Sequence, residues 1–133
     1  MIDIESEVYT PIAEALRTAF PGIDVSGEYA KAPTSLPHVS IVERDNYTPK
    51  EYLDTSDTEQ YAALMYEVTV YSDKAQGKKT ECRKIMGKVD EMMYARNFRR
   101  TTLTPVPNLE NASIYRLLAR FEAVTDGTTI YRR

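Results

Sequence analysis

Residues 61–95 read YAALMYEVTVYSDKAQGKKTECRKIMGKVDEMMYA, and within this one stretch the hydrophobic period changes from two to about 3.6. In Ala63–Ser72, Leu64, Tyr66, Val68 and Val70 share one side, while Glu67, Thr69 and Tyr71 share the other. That alternation predicts a strand with one face on a core and one in water. From Gly77 to Ala95, residues Cys82, Ile85, Met86, Val89, Met92 and Met93 recur at steps of three and four. They predict an amphipathic helix whose opposite face carries Lys84, Lys88 and Glu91. A one-sided strand followed by a one-sided helix calls for a layered fold, because each has a single apolar surface to bury.

Working outward, His38–Arg44 alternates Val39 and Ile41 with Ser40 and Val42 and reads as a strand, launched by Pro37 at a position that tolerates proline. A weaker strand is expected at Val25–Tyr29. Downstream, Phe98–Thr104 reads as a strand stopped by Pro105 and Pro107. Tyr115, Leu117, Ala119, Phe121 and Ala123 then alternate with Arg116, Leu118, Arg120 and Glu122 in a second long strand. Asp126-Gly127 is a hairpin signal, with a short last strand over Thr128–Tyr131. At the N-terminus Ile4, Val8, Ile12, Ala15, Leu16 and Ala19 form a helical stripe that ends at Pro21-Gly22. Pro11 leaves two readings: Thr10 is the N-cap with Pro11 at the first helical position, or the helix begins near Asp3 and kinks at Pro11. The order predicts one α+β domain spanning 1–133, a mostly antiparallel sheet of four to five strands with two amphipathic helices packed on one face.

The composition, 42% hydrophobic and 28% charged, suits a globular chain of 133 residues and holds no apolar run long enough for a membrane span. The acidic start Met1-Ile2-Asp3-Ile4-Glu5 lacks the basic region of a secretory signal, and the lone Cys82 cannot form an internal disulfide, so folding in a reducing cytosol is expected. The net charge of -3 gives no support to wholesale binding of nucleic acid or anionic membrane. Its distribution is uneven. Residues 1–73 hold 14 acids and 4 bases, 74–100 hold 3 acids and 9 bases, and 101–133 hold 3 acids and 4 bases.

Chemistry is sparse. His38 is the only histidine and sits at a strand start, which favours a polar structural role over general base catalysis. Cys82 lies on an apolar helix stripe, where thiols are inert. Four zinc ligands cannot be assembled from these two residues. The carboxylates of Asp54-Thr55-Ser56-Asp57-Thr58-Glu59 lack the glycine and spacing of a calcium loop, and the five glycines are scattered, with no phosphate cradle. No enzyme, cofactor or metal is therefore expected. Lys78, Lys79, Arg83, Lys84, Lys88, Arg96, Arg99 and Arg100 make a basic patch, interrupted by Glu81, Asp90 and Glu91. It reads as a solvated face with helical ion pairs, or as a nucleic-acid contact. Asp45–Gln60 is an acidic connection with Tyr47 and Tyr52 interleaved, long enough to suggest a projecting functional loop. Tyrosine there and at Tyr131 suits an interface, and the acidic N-terminal half with a basic helix suits a head-to-tail contact between copies.

Five segments carry a resemblance to a known family. They are the helix ending Ala19-Phe20-Pro21, Pro37-His38-Val39-Ser40-Ile41-Val42-Glu43, Tyr66-Glu67-Val68-Thr69-Val70-Tyr71-Ser72, the Gly77–Ala95 helix, and Tyr115-Arg116-Leu117-Leu118-Ala119-Arg120-Phe121-Glu122-Ala123-Val124. In order and spacing the chain resembles the tail-terminator (tail-completion, minor capsid) proteins of long-tailed siphophages and Gram-positive prophages. The resemblance implies a structural virion protein of the tail neck, made and assembled in the bacterial host cytoplasm. Such proteins form a hexameric ring that caps the head-proximal end of the tail tube, stops tube polymerisation and joins the tail to a head-completion (stopper) protein, and the same is expected of this chain. The implied partners are further copies of the chain, the major tail tube protein and the stopper, with DNA passing through the lumen without specific binding. It further implies that Tyr47, Lys50, Tyr52, Asp54 and Asp57 contact a neighbour or the tube, and that Tyr131, Arg132 and Arg133 make an edge contact. Another head-tail connector, or a nucleic-acid module using the basic helix 78–100, is the alternative.

Overall fold

A computed structural model describes residues 1–28, 33, 35–49, 61–107 and 112–132, with the backbone alone for Arg132. The first helix, α1 (Glu5–Ala19), buries Val8, Ile12, Ala13 and Leu16, with Ile4 buried just before it. Pro11 lies inside this helix, so the start near Asp3 is the reading that holds, and Asp3 Oδ1 accepts the Glu5 N–H at 3.2 Å. An interior proline costs about 3 kcal/mol. Burying Val8, Ile12 and Leu16, at about 1.5–3 kcal/mol each, outweighs it. The expected stripe is rotated slightly: Ala13 joins the core and Ala19 is exposed.

The second helix, α2 (Lys78–Ala95), buries Cys82, Ile85, Met86, Val89 and Met93. Gly77 enters it at φ 87 and Asn97 leaves it at φ 66, both left-handed. The Arg96 and Phe98 N–H groups close on the Met93 carbonyl, each at 3.0 Å. This turn drives Phe98 into the core, where its ring meets Tyr66 edge-on at 5.4 Å. Gly87, in mid-helix, is exposed, and a Cβ there would meet nothing within 4 Å. Glycine in a helix interior costs about 1 kcal/mol relative to alanine. Packing within the subunit does not require it.

Six strands form the sheet: β1 (Asp24–Ser26), β2 (His38–Tyr47), β3 (Ala62–Ser72), β4 (Arg99–Pro105), β5 (Tyr115–Thr125) and β6 (Ile130–Arg132). Their order is β1-β2-β3-β5-β4, with β6 also on β5. Every pair is antiparallel except β1–β2. Because β3 covers one side of β5 along its length, β4 and β6 must share the other side end to end, against Leu117–Glu122 and Ala123–Thr125. The fold is thus α+β, with both helices contributing to one core against Val39, Ile41, Leu64, Tyr66, Val68, Val70, Leu117, Ala119 and Phe121.

Three expectations change. The sheet has six strands rather than four to five, because the three-residue β1 and β6 both pair. The second sheet face is not uniformly wet: Ala63, Thr69, Tyr71 and Leu118 are buried on it, along with His38 and Ser40. Long polar side chains lie flat there and cover their neighbours. The Arg116 guanidinium sits 5.5 Å from the centre of the Tyr71 ring, and Arg120 Nε donates to Glu67 Oε2 at 3.1 Å. Strand β2 also runs three residues past Arg44. A bulge between Glu43 and Asp45 breaks the alternation that would have revealed its continuation, and it turns Asp45 and Tyr47 to the face away from the helices.

Candidate functional site

Of the expected contact residues, Lys50, Tyr52, Asp54, Asp57 and Arg133 lie outside the described residues. Tyr47 and Tyr131 do not lie close together in sequence, yet the register puts them on one row. Tyr47 pairs with Ala63, Ala63 with Val124, and Val124 with Tyr131. Three strand spacings, roughly 14 Å, separate the two tyrosines. Both are exposed, at 44% and 45%, whereas Ala63 and Val124 between them are buried. The next row on this face, Asp45, Met65, Glu122 and Arg99, is charged at all positions but Met65. One end of the sheet therefore presents two aromatic rings over an apolar floor with a polar border, the anatomy of an interface patch.

Tyr131 is held firmly. Asp126 Oδ1 accepts the N–H groups of Thr128 at 2.9 Å and Thr129 at 2.7 Å, closing the β5–β6 turn, and the Tyr131 hydroxyl donates to Asp126 Oδ2 at 3.2 Å. The Thr129 and Thr128 N–H groups hold the Asp126 carboxyl below its usual range, and the carboxylate in turn pushes the Tyr131 phenol up. Asn97 donates to the Ile130 carbonyl at 2.9 Å, and the Tyr61 ring stands 6.3 Å from that of Tyr131. An aromatic fixed before contact loses little freedom on binding. For Arg132, β6 places the backbone opposite Ala123.

The sides of the sheet differ in charge. On the β1–β2 side, α1 exposes Glu5, Glu7 and Glu14, Asp3 precedes it, and Glu43 and Asp45 extend along β2; among the described residues Arg17 and Arg44 are the exceptions. On the β4 side, α2 exposes Lys79, Arg83 and Lys84, and β4 carries Arg99 and Arg100. Part of this basic charge is used internally: Lys88 pairs with Glu91, Arg99 with Glu122 and Arg100 with Asp90, at 3.7, 4.0 and 3.2 Å. Lys79, Arg83 and Lys84 have no carboxylate partner among the described residues. Among the described residues, both sides also end in strand edges without a paired neighbour. No described strand pairs with β2 beyond Ser40, and none covers the outer side of β4.

Burial pushes the Glu43 carboxyl above its ordinary 4.5; Glu5 and Asp3 add to the rise, against the lowering effect of the Tyr66 hydroxyl, which donates to Oε1 at 3.1 Å. A carboxyl whose pKa is raised on folding stabilises the fold fully below its unfolded value and loses that contribution as pH climbs through the folded value. Glu43→Gln stays neutral and still accepts from Tyr66. Urea melts should show the variant gaining stability relative to the wild type as pH rises from 4.5, then holding level. A pH-independent difference would contradict this.

Two arrangements bring catalytic residue types together without forming a catalytic site. His38 Nδ1 lies 2.8 Å from Asp24 Oδ2 and Nε2 lies 3.4 Å from Ser26 Oγ, the order of a Ser-His-Asp relay. The Ser26 hydroxyl, however, donates to the Glu28 carbonyl at 2.9 Å, and the imidazole is 3% exposed. The group pins β1 to β2. Cys82 is fully buried, donates to the Val70 and Tyr115 carbonyls, and has its thiol pushed up to about 12 by burial, so it supplies no thiolate at neutral pH. Among the described residues no cluster of His, Cys, Asp or Glu is placed to hold a metal, and no helix is long and apolar enough to cross a membrane.

The aromatic row depends on strand register, which the sequence does not reveal. The unlike sides were signalled by the segmental charge but not assigned to edges. The chain matches no protein-family model, and no curated protein is significantly similar to it in sequence.

Proposed function

We propose that this chain is a structural, non-enzymatic protein of the tail-terminator type, which assembles head to tail into a ring at the head-proximal end of a phage tail tube. The observation that carries this reading is the opposition, on one subunit, of two sheet edges of unlike charge that no described strand covers. Like edges favour twofold pairs, whereas unlike edges make heterologous contacts that close into rings when the rotation permits. Contact of the acidic β2 side with the basic β4 side also covers edges that otherwise invite uncontrolled pairing. With the sides engaged by neighbouring copies, the ends of the sheet remain for axial partners. The Tyr47–Tyr131 row is the surface we assign to the tail tube protein, and the stopper takes the opposite end of the ring.

Mass photometry of the purified chain, alone and mixed with its tail tube protein, tests the proposal. Rings, or tubes capped at one end and arrested in length, are the expected result. A monomer that leaves tube growth unchanged would overturn it. The unpartnered Lys79, Arg83 and Lys84 favour the second reading, a nucleic-acid module, which requires an affinity for duplex DNA that falls steeply with salt. No binding at 50 mM salt would remove that alternative.

A further inference from the structure

Between α2 and β4 runs a groove of about 100 Å³, lined by Arg83, Met86, Gly87, Asp90, Arg100 and Leu103 among others. Its floor is apolar, and its rim carries Arg83 and the Arg100–Asp90 ion pair, a net charge of +1 from two guanidinium groups and one carboxylate. Gly87 leaves the helix backbone bare at this place, open to contact and without a reason inside the subunit. Bare backbone on a helix face permits close approach by another chain. On the other side of the sheet, Asp3, Glu5, Ser6 and Tyr9 line the surface at the start of α1, and Glu43 feels the charge of both Asp3 and Glu5. Glu43 pairs in register with Tyr66, a core residue, so its side chain lies on the helix side of the sheet; Arg100 pairs with Phe121 and lies on that side too.

From this geometry we infer that the α2–β4 groove is the receptor for a second copy of the chain, which inserts its Asp3–Glu5–Glu43 corner against Arg83, Gly87 and Arg100. The inference rests on the head-to-tail reading above and assigns its contact to particular residues. Three observations converge on this occupant. The two surfaces are opposite in charge, they lie on the same helix side of opposite edges, and the unexplained glycine marks where a partner approaches. When two sheets meet edge to edge with their helices on one side, the corner and the groove face each other across the join, while Asp45 approaches Arg99 on the far face. Bringing Arg83 and Arg100 beside a corner crowded with carboxylates relieves the mutual repulsion that this corner bears in the free subunit.

The test separates folding from assembly. Gly87→Gln fills the groove yet suits a helix interior better, so it should keep or raise the melting temperature while weakening association of copies at least tenfold by mass photometry. Glu5→Lys and Arg83→Glu should each weaken association about tenfold, and the double variant, in which every contact again joins unlike charges, should recover to within about threefold of the wild type. If wild-type rings form but Gly87→Gln assembles normally, or the double variant stays impaired, the inference falls and the ring reading stands. If Gly87→Gln leaves rings intact but loses the tail tube protein, the groove belongs to that partner and the inference also falls. A wild-type chain that remains monomeric at every concentration, with or without the tube protein, overturns both.

Discussion

Replacing Tyr47 and Tyr131 together by serine is expected to leave the fold intact and, under the assignment proposed above, to reduce binding to the tail tube protein at least a hundredfold. Each ring is nearly half exposed and stands at one end of the sheet over buried Ala63 and Val124. Neither helps to fill the core, so their loss changes stability little. Aromatic anchors at the centre of an interface cost about 2 kcal/mol or more each when truncated. Two such losses amount to roughly a thousandfold if independent, since about 1.4 kcal/mol is a factor of ten. Tyr131 should carry the larger share, because Asp126, Tyr61 and the Asn97–Ile130 contact hold it in place before any partner arrives. Interferometry against immobilised tube protein, with thermal melts of the same samples, reads both effects. Tyr94→Ser provides the comparison: Tyr94 is 63% exposed but lies on α2, off this row. Equal losses from both variants would mean that aromatic area anywhere suffices, and unchanged affinity of the double variant would remove the row from the interface.

Phe98→Ala is expected to destabilise the fold by about 3–5 kcal/mol, the usual range for deleting a fully buried phenyl group. A domain of this size has roughly 5–15 kcal/mol of stability in all, so the variant should unfold at a much lower urea concentration with the slope of the transition preserved. Phe98 is 1% exposed, makes the edge-on contact with Tyr66, and directly follows the left-handed turn at Asn97. It therefore joins the end of α2, the start of β4 and the centre of β3. A loss under 1.5 kcal/mol in urea melts would show that the surrounding side chains close the cavity and that this junction is less rigid than its packing implies.

Much of the architecture was legible in the chain itself, for a definite reason. Helix α2 and strands β3 and β5 each have enough residues in register with one period for burial to outweigh local preference, so Cys82 through Met93 and Leu64 through Val70 announce their faces without reference to anything distant. Elements whose conformation depends on a neighbour were less visible. Strand β2 conceals its last residues behind the bulge at Arg44, and α1 continues through Pro11 because tertiary packing repays a cost that the local sequence makes plain. Segmental charge likewise foretold an acidic and a basic portion. What the sequence determined by itself, then, was the list of one-sided elements, their class and the unequal distribution of charge.

The placement of those elements was decided by tertiary structure alone. Strand order β1-β2-β3-β5-β4 sends the acidic α1–β2 portion and the basic α2–β4 portion to opposite edges, a separation that no local pattern encodes. Register, a matter of which residue faces which across several strands, aligns Tyr47 with Tyr131, although the two lie 84 positions apart in sequence. The same long-range pairing turns Thr69 and Tyr71 from an expected wet face into buried positions beneath Arg116 and its neighbours. Periodicity reports how a segment divides its own side chains between two environments. Which other segment supplies each environment is set by the free energy of the assembled sheet, and that quantity exists only once the whole chain is folded.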